Sequence, residues 1–301
     1  MKKMFIPVLA LLGMVACTNE NESEIEISNN EPVEIKLAAQ LSEVAVSRAA
    51  IAQGTDGALT ANLESVQFLK VDGETAVWTG SLTPIAATIN IGGNIDFGGN
   101  APHYPINGDK THIMGYYPAA TGVTDGAINM TITGQEDVIY ASAVEGSKST
   151  EISAPMAFSH KLTQFKFIIK RDADITDVAN VSVKVKGANT VFKMDIADGT
   201  LSNWGTTAEI TALTGGTAKE TASAASEPIM LQPDLASLTL AVTGDKGFSG
   251  EVTVDSKEAG GKYLAGKAYT ITLRLGAKDI TGSATMGKWE DGTNPDEKPV
   301  Q

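Results

Sequence analysis

Apolar residues recur at every second position through most of this chain. Ile35, Leu37 and Leu41 alternate with Glu34, Lys36 and Gln40, and Ile128, Met130 and Ile132 with Asn129, Thr131 and Thr133. The same period returns in Val181, Val183 and Val185, in Phe192, Met194 and Ile196, in Leu238, Leu240 and Val242, and in Tyr269, Ile271, Leu273 and Leu275. Successive side chains of a strand point to opposite faces, so a period of two marks half-buried strands; no window sustains an apolar stripe at helical spacing. Asp56-Gly57, Asp72-Gly73, Asn107-Gly108, Asp125-Gly126 and Asp198-Gly199 punctuate these runs with residues that tolerate positive φ, the chemistry of turns between antiparallel strands. Gly92-Gly93 and Gly98-Gly99 read as loop or bulge glycines, since no Lys-Ser/Thr follows to make a phosphate cradle. The chain is therefore all-β.

The first residues carry an address. Lys2 and Lys3 precede an apolar run from Phe5 to Ala16, too short to stay in a bilayer as a helix, which needs about 20 residues. Leu12-Gly13-Met14-Val15-Ala16-Cys17 resembles a bacterial lipobox, so residues 1–16 are expected to be a signal peptide and Cys17 the lipid-bearing N-terminus of an exported lipoprotein. The competing reading is an ordinary signal peptide with a coincidental thiol. Cys17 is the sole cysteine, which leaves no intramolecular disulfide, and the fold must rest on its buried core. Residues 17–32 are rich in Asn, Glu and Ser and read as an acidic tether, either a solvated linker or a surface-export signal.

At 301 residues the chain exceeds one sandwich of about 100 residues, and two domains are expected, 33–150 and 151–289, meeting at the polar stretch near Ser147–Pro155. Residues 290–301 are polar and proline-bearing and read as a flexible tail. With 36 acidic against 23 basic residues the net charge is −13, which repels nucleic acid and anionic membrane surfaces.

No catalytic constellation emerges. His103, His112 and His160 are scattered without a metal-ligand spacing, there is no Gly-x-Ser-x-Gly elbow, and neither metal nor cofactor is expected. Asp195 and Asp198 suit a turn better than glycoside hydrolysis or calcium binding. Trp78, Trp204 and Trp289, with Tyr116-Tyr117, suit core packing, with a sugar-stacking platform as the alternative. A non-enzymatic protein is expected.

Pro155-Met156-Ala157-Phe158-Ser159-His160-Lys161-Leu162-Thr163-Gln164-Phe165-Lys166-Phe167 resembles the phrase that opens the second domain of the fimbrillins, the type V pilins. Gly266-Lys267-Ala268-Tyr269-Thr270-Ile271-Thr272-Leu273 is similar to their penultimate strand, and Ile280–Met286 with Trp289-Glu290-Asp291-Gly292 to their terminal strand and tryptophan. Val46-Ser47-Arg48-Ala49 resembles their N-terminal Arg-Ala landmark, and the middle of the first domain matches loosely through His112–Pro118. The resemblance implies two transthyretin-like antiparallel β-sandwich domains in tandem, and a fimbrial subunit delivered to the outer membrane as a lipoprotein and held there by its lipid anchor. It also implies cleavage between Arg48 and Ala49 by an arginine-specific protease, and polymerisation with other fimbrial subunits by β-strand exchange. Cleavage there would release the strand bearing Ile35, Leu37 and Leu41. Ile280, Gly282, Ala284 and Met286 share one face of the candidate donor strand, which could equally complete its own domain. A shaft subunit is the leading expectation; a tip or anchor adhesin of the same fold, or a surface glycan-binding lipoprotein, are the alternatives.

Overall fold

The alternating runs fold as strands in a computed structural model that describes residues 31–41, 59–120, 122–223, 225–276 and 280–287. In chain order these are β1 (Ala39–Leu41), β2 (Leu63–Asp72), β3 (Ile85–Ile89), β4 (Ile95–Asp96), β5 (Thr111–Tyr117), β6 (Gly122–Thr124), β7 (Ala127–Thr131), β8 (Ile139–Gly146) and β9 (Met156–His160). They continue as β10 (Thr163–Arg171), β11 (Val178–Asp195), β12 (Leu201–Ala218), β13 (Ile229–Leu231), β14 (Ser237–Thr243), β15 (Ser249–Asp255), β16 (Ala268–Leu275) and β17 (Ile280–Gly287). Among the described residues there is no α-helix, and a single turn of 3-10 helix covers Gly98–Asn100. The fold is all-β.

Three sheets organise the strands. The first has seven, in the order β1-β9-β8-β5-β2-β3-β4; the second has four, β13-β10-β16-β17; the third has six, β15-β14-β11-β7-β6, with β12 paired along the other edge of β11. Most pairings are antiparallel, as the turn chemistry requires; Asp125 (φ 49°) and Gly126 (φ 78°) form the two-residue turn between β6 and β7. Two are parallel, contrary to the antiparallel expectation: β1 with β9 and β10 with β16. Each joins strands far apart in the chain, where no hairpin dictates direction and alternation is blind to it.

β11 explains how one chain serves two cores. Val181, Val183 and Val185 are buried against the second sheet with Phe167, Ile271 and Leu273. Beyond Gly187 (φ 64°) the buried set changes parity to Ala188, Thr190, Phe192 and Met194. The ladder to β12 shifts register between Val185 and Ala188, and β11 changes partner from β14 to β7. An inserted residue flips every later side chain unless the strand bulges, and here the bulge keeps both halves facing inward. The far half of β11 packs with Ile128 and Met130 of β7 onto Leu69, Met114, Tyr116 and Tyr140 of the first sheet.

The first sheet is buried on both faces. Phe68 belongs to the core on one side and its neighbour Leu69 to the core on the other. β5 is accordingly buried at every position from Thr111 to Tyr116. The polar stretch after β8 makes a turn in which Ser147 and Thr150 exchange backbone hydrogen bonds, and β9 then returns to the first sheet beside β8. From Phe165 onward, β10 contributes to the second core.

Gly115 sits at the crowded centre of β5, where a Cβ would lie 2.7 Å from the Phe158 ring and 3.0 Å from that of Phe68. Gly115→Ala is therefore expected to destabilise the protein by about 1–3 kcal/mol through overpacking, read as a lower urea midpoint.

Candidate functional site

The segment 33–41 is extended, and both of its edges are occupied. On one side Ile35 N–H donates to Pro102 O at 2.8 Å, Tyr104 N–H to Val33 O at 2.9 Å, Ile95 N–H to Leu37 O at 3.2 Å and Ala39 N–H to Gly93 O at 2.6 Å. On the other side Met156 N–H donates to Ala38 O at 2.7 Å, and Ala39, Gln40 and Leu41 run parallel to Met156, Ala157 and Phe158. β9 and β4 lie toward opposite ends of the seven-stranded sheet, so this one segment ties those ends together. Closure removes the open edges that would otherwise expose a row of unpaired backbone groups.

Its side chains obey the period of two. Ile35, Leu37, Ala39 and Leu41 are 1%, 4%, 9% and 7% exposed, while Glu34, Lys36, Ala38 and Gln40 face out. The inward set joins the core that holds Phe68, Phe97 and Phe158, with the Phe68 ring 5.2 Å from Phe97 and 6.3 Å from Phe158 in edge-on contacts. Tyr104 lines the same core; its hydroxyl accepts the Ile152 N–H at 2.8 Å, and burial holds its phenol above the ordinary value. Gly93 (φ 87°) makes the approach possible, since a Cβ there would collide with the Ala39 carbonyl oxygen.

The regular ladder with β9 spans Ala39–Leu41, and the residues before it hold by isolated bridges, Glu34 to His103 and Ala38 to Asn94. Val46, Arg48 and Ala49 lie outside the described residues, as do Cys17 and Trp289.

The candidate donor residues lie elsewhere. β17 pairs along its whole length with β16 of the same chain, from Ile280 opposite Leu275 to Gly287 opposite Ala268. Ala284 is buried in the second core and Ile280 packs against it. Gly282 is required at its place, because a Cβ would lie 2.5 Å from Val254 Cγ2 on β15. Met286 stands opposite Tyr269 in the ladder. The displaced-strand residues and the donor candidates thus occupy two different cores of one chain.

The remaining sequence candidates serve structure. Trp78 is buried, Trp204 stacks on Phe192 at 4.2 Å and Tyr116 is fully buried, so these rings do not form an exposed plane. Asp195 and Asp198 accept the N–H groups of Ala197 and Thr200 in the β11–β12 turn. Among the described residues no group of three or more His, Cys, Asp and Glu gathers as a metal site. A contact that sequence reasoning missed is the buried pair His160–Asp137, with Nδ1 and Oδ2 2.7 Å apart. Twenty-odd residues separate the two, and no motif announces them; the pairing of β8 with β9, which sets Ile139 opposite His160, brings them together.

The sequence model of the fimbrillin-like family matches residues 48–289, most of the chain. The chain belongs to the fimbrillin-like family. "Putative fimbrium subunit Fim1C" of Bacteroides uniformis is 26% identical over 208 residues, 64% of this chain and 66% of that protein, so the match spans just under two thirds of the relative's length. Crystal structures of a "putative cell adhesion protein" from Bacteroides uniformis and of another from Bacteroides ovatus share the fold at TM-scores of 0.59 and 0.58. Their sequence identities are 19% and 18%, and the matches cover 84% and 88% of this chain and 99% and 100% of those.

Two substitutions test the seating of the segment. Leu37→Ala is expected to cost about 2–5 kcal/mol by leaving a cavity. Gly93→Ala is expected to cost about 1–3 kcal/mol by pushing the segment off its edge. In both variants limited proteolysis should cut the 33–41 region faster than any site in the second core, and equal rates would contradict the local seating.

Proposed function

We propose that this protein is a structural subunit of a fimbrium, of the shaft class, that assembles by exchanging β-strands with its neighbours. The observation that carries the proposal is the two-sided clamp on residues 33–41. A segment held by backbone hydrogen bonds along both edges, with alternate side chains sunk in the core, leaves a strand-shaped vacancy when it goes. Ile95 N–H, Tyr104 N–H, Met156 N–H, Gly93 O and Pro102 O then lose their partners together. Unpaired sheet edges with an apolar floor recruit another strand.

Arg48 follows this segment in the chain, and the family match begins at that residue. Cleavage between Arg48 and Ala49 by an arginine-specific protease leaves the segment held by non-covalent contacts alone. Cys17, lipidated, tethers the precursor to the outer membrane until that cut. β17, with Ile280, Gly282, Ala284 and Met286 on one face, is the donor. The proposal includes the reading of the fold as two transthyretin-like sandwiches in tandem, with β11 shared between them, and it assigns the chain no enzymatic role.

The test is to treat lipid-free precursor with an arginine-specific protease and follow cleavage by mass spectrometry and polymer by electron microscopy. A single early cut after Arg48 followed by fibres is the expected result, with Arg48→Ala blocking both. A cut that yields stable monomers would contradict the proposal.

A further inference from the structure

We propose that the vacated groove admits a strand in one direction and one register, with Ala284 of a second copy's β17 standing where Ala39 stands. This inference rests on the strand-exchange reading and specifies how the exchange is made.

Direction follows from the backbone. The four bonds to the 93–104 side run in the order Val33 with Tyr104, Ile35 with Pro102, Leu37 with Ile95 and Ala39 with Gly93, so the resident segment is antiparallel to that edge. It is parallel to β9, over three ladder positions. A strand entering the other way keeps antiparallel geometry on the shorter side and surrenders it on the longer one. Antiparallel pairing is the more stable per residue, so the resident direction is retained.

Register follows from size. The inward positions of the resident segment read large, large, small, large: Ile35, Leu37, Ala39, Leu41, all buried. In the same direction the alternate positions of β17 that share one face read Ile280, Gly282, Ala284, Met286. One alignment sets the small Ala284 in the small place, Ile280 in that of Ile35 and Met286 in that of Leu41. A shift by two one way drives Met286 into the place of Ala39, which overpacks the core; the other way sets Gly282 there, but leaves the place of Ile35 empty and puts the small Ala284 in that of Leu41. A shift by one turns the whole set outward. Gly93 lets the seated strand close on this edge whatever its register, because the strand's backbone passes where a side chain would block it.

The alignment leaves one mismatch. Gly282 takes the place of Leu37, and the incoming strand leaves that pocket empty. The reason lies in the donor's own fold, where Val254 fills the space a side chain at 282 would need. A neighbour's β17 therefore fills the groove less completely than the resident segment does. The resident must be released before exchange proceeds, which makes removal of 33–41 the controlling step.

Synthetic peptides test this without refolding the donor. The receptor is the full-length chain with an introduced protease site between residues 42 and 58, cut in place, and binding is read by fluorescence anisotropy in competition with the resident segment. A peptide of residues 33–41 should bind most tightly. Against the native 280–287 peptide, Gly282→Leu should tighten binding about tenfold to a hundredfold by filling the Leu37 pocket. Ala284→Leu should weaken it about tenfold or more. If Ala284→Leu tightens binding and Gly282→Leu does not, the strand enters in the opposite direction or two residues out of register, and the inference is overturned. Equal affinities for all three 280–287 peptides overturn the register. If the 33–41 peptide binds and no 280–287 peptide does, this inference fails while the groove stands; if even the 33–41 peptide does not bind, the strand-exchange reading fails with it.

Discussion

The first sheet depends on a single extended segment that hydrogen-bonds in two directions at once. Residues 33–41 satisfy the backbone at Pro102–Tyr104 and Gly93–Ile95 on one side and at Met156 on the other, joining regions that lie toward opposite ends of a seven-stranded sheet. A sheet edge is costly to leave open, because each unpaired N–H and C=O exposed against an apolar floor forfeits a hydrogen bond. Here one short stretch removes both edges. The stability of the first core and its capacity to open are therefore the same property, set by the same contacts.

The rest of the architecture makes that segment separable. The second core, built on Phe165, Phe167, Ile271 and Leu273, contains no residue of the segment. β11 runs from the second core into the one between the first and third sheets, through a bulge at Gly187 that lets its inward face serve each in turn. Loss of the N-terminal strand thus opens one wall while the second sheet and its ladders, β10 with β16 and β16 with β17, stay paired. That asymmetry suits a subunit that accepts a strand at one place and offers one from another.

Much of this was legible in the sequence where one face of a strand is solvated. Ile128 and Met130, Leu238 to Val242 and Tyr269 to Leu275 alternate cleanly and form β7, β14 and β16. The inward set of residues 33–41 was legible for the same reason, and β17 likewise. β2 and β5 were not, because both faces of the first sheet are buried and the pattern collapses into continuous runs such as Val66–Leu69. β11 was visible as two strands of opposite parity, since period alone hides a bulge that joins them. The second edge of the groove was invisible: Gly93 and Pro102–Tyr104 belong to loops, and only the fold brings them against residues 33–39. The same holds for His160 and Asp137, whose pairing is made by strand register and not by spacing.

Amide hydrogen exchange tests the central claim most directly. In the intact protein the amides of Ile95, Tyr104 and Met156 should be strongly protected, because each donates to the 33–41 segment. After the segment is cut away and removed, these three should exchange orders of magnitude faster, while those of Phe167 and Ile169 in the second core stay slow. On assembly into fibres the three should become protected again. Undiminished protection of Ile95, Tyr104 and Met156 after removal of the segment would contradict the account, since the edges it describes as opened would still be closed.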